Sequence, residues 1–312
     1  MTDPVILLQI LWTGIAMSSY FVLFTVAFAL TLKVEKLWNF AQAGLMGIAF
    51  YTMFYLLNAA HWPVWLGVAA AIVMTSAVTV AVEIWAIAVL RKRHSSGLIF
   101  FIFTLIFSQF VAFLLTLMFG TEPETIFPSV MSPVRIVGGI AVSDWDLSAV
   151  GITLAMLIGL YLLIRYTRDG QFMLAVSDNE KLAEIYGISA RRAYILSGIV
   201  SALMICAGIW LYGTRAGVTP DVPIGLILTA VIATLIGGLG RVFSAAIAAV
   251  GLALLQSFSI LFISSKWQTL LLYGVLFFAL LLFPRGIPAW RVKRIRPSPQ
   301  TVAAAAAPQG GS

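Results

Sequence analysis

Long apolar runs, broken by short polar clusters, dominate the chain. Between Asp3 and Lys33 lie 29 consecutive residues without a formal charge, and between Lys36 and Glu83 lie 46. Further uncharged runs cover 94–121, 147–164, 193–214, 222–240, 242–265 and 267–284. A helix needs about 20 residues to cross the hydrocarbon of a bilayer, where its backbone must satisfy its own hydrogen bonds. The runs therefore predict membrane helices. The longest must divide, and Asn58, His61 and Pro63 supply polar and helix-breaking residues near its middle. Nine apolar segments result, at 5–32, 38–57, 64–90, 98–118, 147–165, 193–213, 223–240, 242–263 and 267–283. The predicted fold is an all-α polytopic membrane protein, with some segments discontinuous or re-entrant.

Composition agrees with the pattern and excludes other classes. Hydrophobic residues make up 61% of the chain and charged residues 10%, against about a quarter charged in soluble domains. The first run is too long for a signal-peptide core, lacks a basic leader and passes straight into further spans, so it reads as a retained helix. The net charge of +7 sits in small clusters beside the spans, with no basic module able to track nucleic acid. Cys206 is the only cysteine, which rules out an internal disulfide or a thiolate metal cluster. His61 and His94 fall at opposite loop positions and suggest no metal site.

The charges also predict orientation. If the first segment runs from outside to inside, the cytoplasmic side receives Lys33, Lys36, Arg91–Arg93, Arg165, Arg168, Lys181, Arg191, Arg192, Arg241 and the basic residues from Arg285 to Arg296. That leaves Arg135, Arg215 and Lys266 outside, 3 of the 19 basic residues. The positive-inside tendency then places the amino terminus outside and the carboxyl terminus in the cytoplasm. The outer side collects Glu122, Glu124, Asp144, Asp146 and Asp221, and the prolines and glycines of 119–146 predict irregular backbone with room for a short surface element. Residues 1–296 read as the membrane domain and 297–312 as a disordered cytoplasmic tail.

Several spans carry residues that lipid does not welcome. Asn39 and Gln42 stand beside Gly44 and Gly47 at the start of the second segment, and Gly237, Gly238 and Gly240 end the seventh. Amides in hydrocarbon need protein or water to pair with, and such glycines permit broken helices able to expose backbone groups to a polar solute. Close helix packing by small residues explains the same glycines equally well. Thr104 and Ser108 share one face of the fourth segment; they suit a translocation path or local bonds to carbonyls one turn back. Glu83 is a formal charge inside a span, and pairing with a neighbouring helix is favoured over proton transfer.

The polar interruption between Arg165 and Ala193 contains a predicted short helix, NEKLAEIYG. Asp178 or Asn179 can cap it, Gly187 can stop it, and Leu182, Ile185 and Tyr186 give it an apolar side. With this helix in view, the chain resembles the inner-membrane permeases of branched-chain amino acid-type bacterial ABC importers. The resemblance rests on Asn39-Phe40-Ala41, on the run Ala175 to Glu180 followed by Ala183 and Gly187-Ile188, on Pro220-Asp221, on Gly237-Gly238-Leu239-Gly240, and on Phe283-Pro284-Arg285-Gly286. Departures occur at Ile84, Ala88, Val89 and Ile106, and at Thr229, where the family often carries lysine.

The resemblance implies a permease without ATPase activity of its own. It implies a second homologous permease, two cytoplasmic ATPase subunits holding ATP and Mg, and a periplasmic solute-binding protein that delivers a small polar solute. The polar and glycine-rich spans make Asn39, Gln42, Gly44, Gly47, Thr104, Ser108, Thr229, Gly237, Gly238 and Gly240 the expected pathway residues. Coupling to the ATPases falls to Asp178, Glu180, Ala183, Gly187 and Ile188, and this chain binds no cofactor or metal. Branched-chain amino acids are the expected cargo, with urea, short amides or small organic acids as alternatives. A stand-alone secondary transporter is the competing class. The absence of a P-loop pattern fits the ABC reading, and no paired acids or nucleophile motif support an enzyme.

Overall fold

The computed structural model describes residues 4–127, 133–262 and 267–282. The motif Phe283 to Gly286, Lys266 and the tail 297–312 lie outside the described residues. The described chain is a helical membrane protein. Its elements run α1 (Pro4–Glu35), α2 (Ala41–Phe54) with a π-helical turn (Tyr55–Ala59), and α3 (Val64–Val82), a second π turn (Glu83–Ile87) and α4 (Ala88–Lys92). There follow α5 (Gly97–Phe119), strands β1 (Val134–Val137) and β2 (Ile140–Ser143), and helices α6 (Asp144–Tyr166), α7 (Arg168–Asp178) and α8 (Glu180–Ile185). The chain continues with α9 (Ala190–Gly213), α10 (Val222–Gly237), α11 (Val242–Ser259) and α12 (Gln268–Leu282).

Among the described residues, six helices are long and apolar enough to cross a membrane. They are α1, the continuous α3–α4, α5, α6, α9 and α11. The other expected segments fall on the shorter α2, α10 and α12, of 14, 16 and 15 residues. The break in the longest uncharged run falls where expected. The π turn ends at Ala59, His61 adopts a φ of 53°, and Pro63 in extended conformation leads into α3.

Burial sorts the spans. In the most apolar window of α1, 83% of residues are buried, against 17% for α3–α4 and for α6. Thus α1 is the central post, packed against α9, α10 and α11, while α3 and α6 leave most of their surface uncovered by the rest of the described chain. Small residues allow the close approach: Gly14 faces Leu254 and Ser257 of α11, and Gly208 lies against the ring of Phe24.

Contacts separate two ends. At one, Gln9 bonds the backbone of Ala141, the Trp12 indole donates to Asp146 at 3.2 Å, Arg215 pairs with Asp146 at 2.9 Å, and Glu124 bridges Val218. At the other, Arg91 reaches Glu35 and covers the ring of Tyr194. Charges that are far apart in sequence are gathered at these two ends.

Two local elements differ from the sequence reading. The segment expected to be irregular contains a two-residue hairpin, Val134–Val137 on Ile140–Ser143, turned by Gly138 and Gly139 at φ 61° and 85°. Those positive angles give the turn whose twist matches paired strands. The second difference is α7, which the loop reading missed. Thr167 caps it by accepting from the Gly170 amide, and Met173 and Val176 bury its inner face. The helix folds so tightly onto the end of α6 that a Cβ at Gly170 would strike the Leu163 carbonyl and Ile164 Cα. Backbone cannot yield as a side chain does, so Gly170→Val should lower the folded yield in membranes severalfold. Gly151→Val, where open space surrounds the Cβ position, should leave it unchanged, as measured by size exclusion after mild detergent extraction.

Candidate functional site

The start of α2 is built by long-range polar contacts. Asn39 accepts from the Ala41 amide through its side-chain oxygen at 3.1 Å, the role of a helix-initiating Asx turn. Thr104 on α5 accepts from the Phe40 amide at 3.2 Å and donates locally to Phe101 at 3.0 Å. One threonine thus ties the first turn of α2 to α5. Gly44 and Gly47 continue the contact, lying against Ser108 and Val111 and against Leu115. Ser108 donates to the Leu105 carbonyl one turn back.

Gln42 is 1% exposed, and its surroundings fix how its amide lies. Thr31 and Ser201 direct their hydroxyl protons at the backbone carbonyls of Phe28 and Ala27, at 3.0 and 3.1 Å. Their lone pairs are left to accept from Gln42 Nε2, at 2.7 and 3.1 Å. The Gln42 oxygen then has no hydrogen-bond partner. A small cavity of about 20 Å³ lies alongside, lined among others by Asn39, Gln42, Glu35, Glu83 and Ser201.

Glu83 opens the second π turn. Eight residues along an α-helix turn through about 800°, which would leave Arg91 about 80° off the Glu83 face. A π turn absorbs one residue and brings the two back to within about 20°. Arg91 leans toward the helix start, as side chains on a helix do, and its Nη2 meets Glu83 at 3.8 Å and Glu35 of α1 at 3.5 Å. Its guanidinium lies 3.6 Å from the centroid of the Tyr194 ring. Glu83 therefore has a second acid and a shared cation beside it. Sequence reasoning missed Glu35, Arg91 and Tyr194, because Glu35 between Lys33 and Lys36 reads as the polar end of a span.

Thr229 donates to the Gly225 carbonyl at 3.1 Å and lines a larger cavity of about 560 Å³ between α1, α10, α11 and α12. Gly44, Gly47 and Ser108 line a narrow pocket that also reaches Asp221. Gly237 is pressed against the Ser244–Ala245 backbone, and Gly238 and Gly240 take φ of 94° and 79°. These three glycines make the tight joint from α10 to α11. The structure thus distributes the expected pathway residues over separate places: Asn39 and Gln42 together, Gly44, Gly47 and Ser108 along the α2–α5 seam, Thr229 alone on the large cavity, and the late glycines at a turn.

The expected loop helix is present as α8. Asn179 caps it by accepting from the Leu182 amide at 3.1 Å. Gly187 at φ 79° ends it, with Ile188 bonding Ala183 at 3.0 Å and Gly187 bonding Glu184 at 2.9 Å, the paired bonds of a Schellman motif. Asp178 closes α7 and Glu180 opens α8, on either side of the extended Asn179. Ala183 is buried, whereas Ile185 and Tyr186 are 80% and 78% exposed.

A central post, six long apolar helices and mainly apolar cavities into which a few polar side chains reach define a multi-pass membrane protein, and the sequence match makes it a permease. The chain belongs to the family described as branched-chain amino acid transport system / permease component, whose model matches residues 10–281. It is 26% identical over 294 residues to LivH of Escherichia coli K12 and of Salmonella typhimurium LT2, each a high-affinity branched-chain amino acid transport system permease protein. Those alignments cover 90% of this chain and 94% of the relative. BraD of Pseudomonas aeruginosa, with the same description, is 22% identical over 90% of this chain and 95% of its own.

Proposed function

We propose that this chain is the membrane subunit of an ATP-driven importer for branched-chain or related amino acids in a bacterial inner membrane. Its amino terminus faces outside and its carboxyl terminus the cytoplasm. A second homologous permease completes the passage, two cytoplasmic ATPases hold ATP and Mg and hydrolyse the nucleotide, and a periplasmic solute-binding protein delivers a small polar solute. This chain binds no cofactor itself. The observation that carries the reading is the family match along residues 10–281.

The geometry supports the division of labour. The bare edge of α8, with Leu182, Ile185 and Tyr186 exposed, offers an apolar strip to a docking ATPase. Asp178 and Glu180 flank the break that lets α8 move relative to α7, while Ala183, Gly187 and Ile188 keep its end rigid. Motion reaches the spans through α9, whose Tyr194 packs on Arg91 and so on the Glu35–Glu83 pair. Glu83 is a structural charge in this scheme. Asn39, Gln42, Gly44, Gly47, Ser108 and Thr229 border the path, Thr104 anchors the start of α2, and Gly237, Gly238 and Gly240 form the joint at which α10 turns.

Uptake of labelled leucine should depend on the partner ATPase. Replacing the P-loop lysine of that ATPase should reduce uptake at least tenfold, because phosphoryl transfer loses a key charge. Uptake that persisted at the full rate would instead indicate a stand-alone carrier. Competition by urea, acetamide and a short organic acid in the same assay sorts the alternative cargoes.

A further inference from the structure

The small cavity beside Gln42 has room for one guest. It holds about 20 Å³, and about 10–15 Å³ suffices for a single water. Two polar groups border it: Gln42 with Thr31 and Ser201, and the Glu35–Glu83 pair with Tyr194. All six residues are buried. Each group is satisfied within itself. Gln42 Nε2 donates to Thr31 at 2.7 Å and to Ser201 at 3.1 Å. Arg91, which does not border the cavity, holds Glu35 at 3.5 Å and Glu83 at 3.8 Å. Among the described residues no direct bond joins one group to the other.

What the two groups leave over is acceptors. The Gln42 amide oxygen is buried without a partner, and an unpaired amide oxygen is costly away from water. The two acids supply carboxyl oxygens to the same cavity. Acceptors on both sides need a donor with two hydrogens between them, and water is the smallest group of that kind. A third partner is at hand in Asn39, which also borders the cavity. Its oxygen is engaged by the Ala41 amide at 3.1 Å, so its amide hydrogens remain to donate. About three hydrogen bonds are typical of a buried water. A metal ion is disfavoured, because the guanidinium of Arg91 already sets a positive charge within 4 Å of both carboxyl groups.

We propose that this cavity is a site for one bound water, which donates to Gln42 Oε1 and to a carboxyl oxygen of Glu35 or Glu83. The water closes a ring of polar contacts. The ring runs from Ser201 on α9 to Gln42 on α2, through the water to the acids of α1 and the π turn, and by way of Arg91 to Tyr194, again on α9. Ser201 and Tyr194 are seven residues apart, about two turns, so they share one face of α9. On the permease reading, on which this consequence rests, α9 moves with α8 and the ring carries that movement to the first turn of α2.

An experimental structure of the full-length chain with its partner subunits in lipid nanodiscs, at a resolution that shows ordered water, tests the site. One peak should lie about 2.5–3.0 Å from Gln42 Oε1 and from a carboxyl oxygen of the acid pair. In Gln42→Met the peak should be gone, while Thr31 and Ser201 stay bonded to the carbonyls of Phe28 and Ala27. The site is overturned by an empty cavity in the parent, by a side chain bonded directly to the Gln42 oxygen, by a peak ringed by about six oxygens as a metal ion would be, or by a peak that survives Gln42→Met. Ser201→Ala tests the ring. It cuts the link to α9 but leaves Thr31 to hold Gln42, so the peak should remain while leucine uptake falls about threefold, roughly the effect of one net hydrogen bond, with co-purification of the ATPase unchanged. Uptake equal to the parent overturns the role of the ring in transport. The peak itself needs no transport, so a chain that moved no amino acid would refute the permease reading and leave the water site to be judged by the map.

Discussion

Arg91→Ala is expected to remove most of the folded protein, at a cost of about 3–5 kcal/mol, the usual penalty for breaking a buried ion pair from one side. The Glu35 and Glu83 side chains are 3% and 7% exposed, and Arg91 is the cation within 4 Å of both. Its loss leaves two buried carboxyl groups facing each other without a cation and with little water to solvate them. Arg91→Lys should rescue only in part, since an ammonium cannot lie flat on Tyr194 while reaching two carboxylates. The combined change Glu35→Gln, Glu83→Gln, Arg91→Met should recover much of the stability, because replacing all the charges removes the penalty. Thermal unfolding of the detergent-solubilised protein measures all three. A melting temperature that does not move in Arg91→Ala would show that the cluster does not hold the helices together.

Ile185→Asp combined with Tyr186→Ser should abolish coupled uptake while leaving the fold intact. Both side chains, at the last residue of α8 and the residue that follows it, have about four-fifths of their surface exposed, so their replacement disturbs no core. What changes is the apolar strip offered to the ATPase, and two charged or polar groups there remove the drive to bury it. Uptake should fall more than tenfold, co-purification of the ATPase should weaken, and thermal unfolding should match the parent. Full coupling in the double variant would place the ATPase contact elsewhere.

How much of this was legible without the fold depends on the range of the interaction concerned. The caps of α8 were readable because Asn179 and Gly187 act within a few residues of themselves. The break at His61–Pro63 was readable for the same reason. The hairpin was overlooked although Gly138-Gly139 sits between two β-branched runs, because the surrounding prolines suggested irregular backbone. Helix α7 was overlooked because DGQFMLAVSD is short, and its inner face is defined only by the end of α6 against which Gly170 is pressed.

The sequence by itself determined that this is a membrane protein of many helices, since a bilayer tolerates long uncharged runs only as self-satisfied helices. It also determined where the polar interruptions fall and how charge divides between their sides. Only the tertiary structure decided which polar residues meet. Glu35 and Arg91 are 56 residues apart, and Gln42 and Ser201 are 159 apart. Pairings at such distances depend on how helices lie against one another. That arrangement reflects the fit of small residues and rings across every interface at once, which no local stretch of the chain encodes.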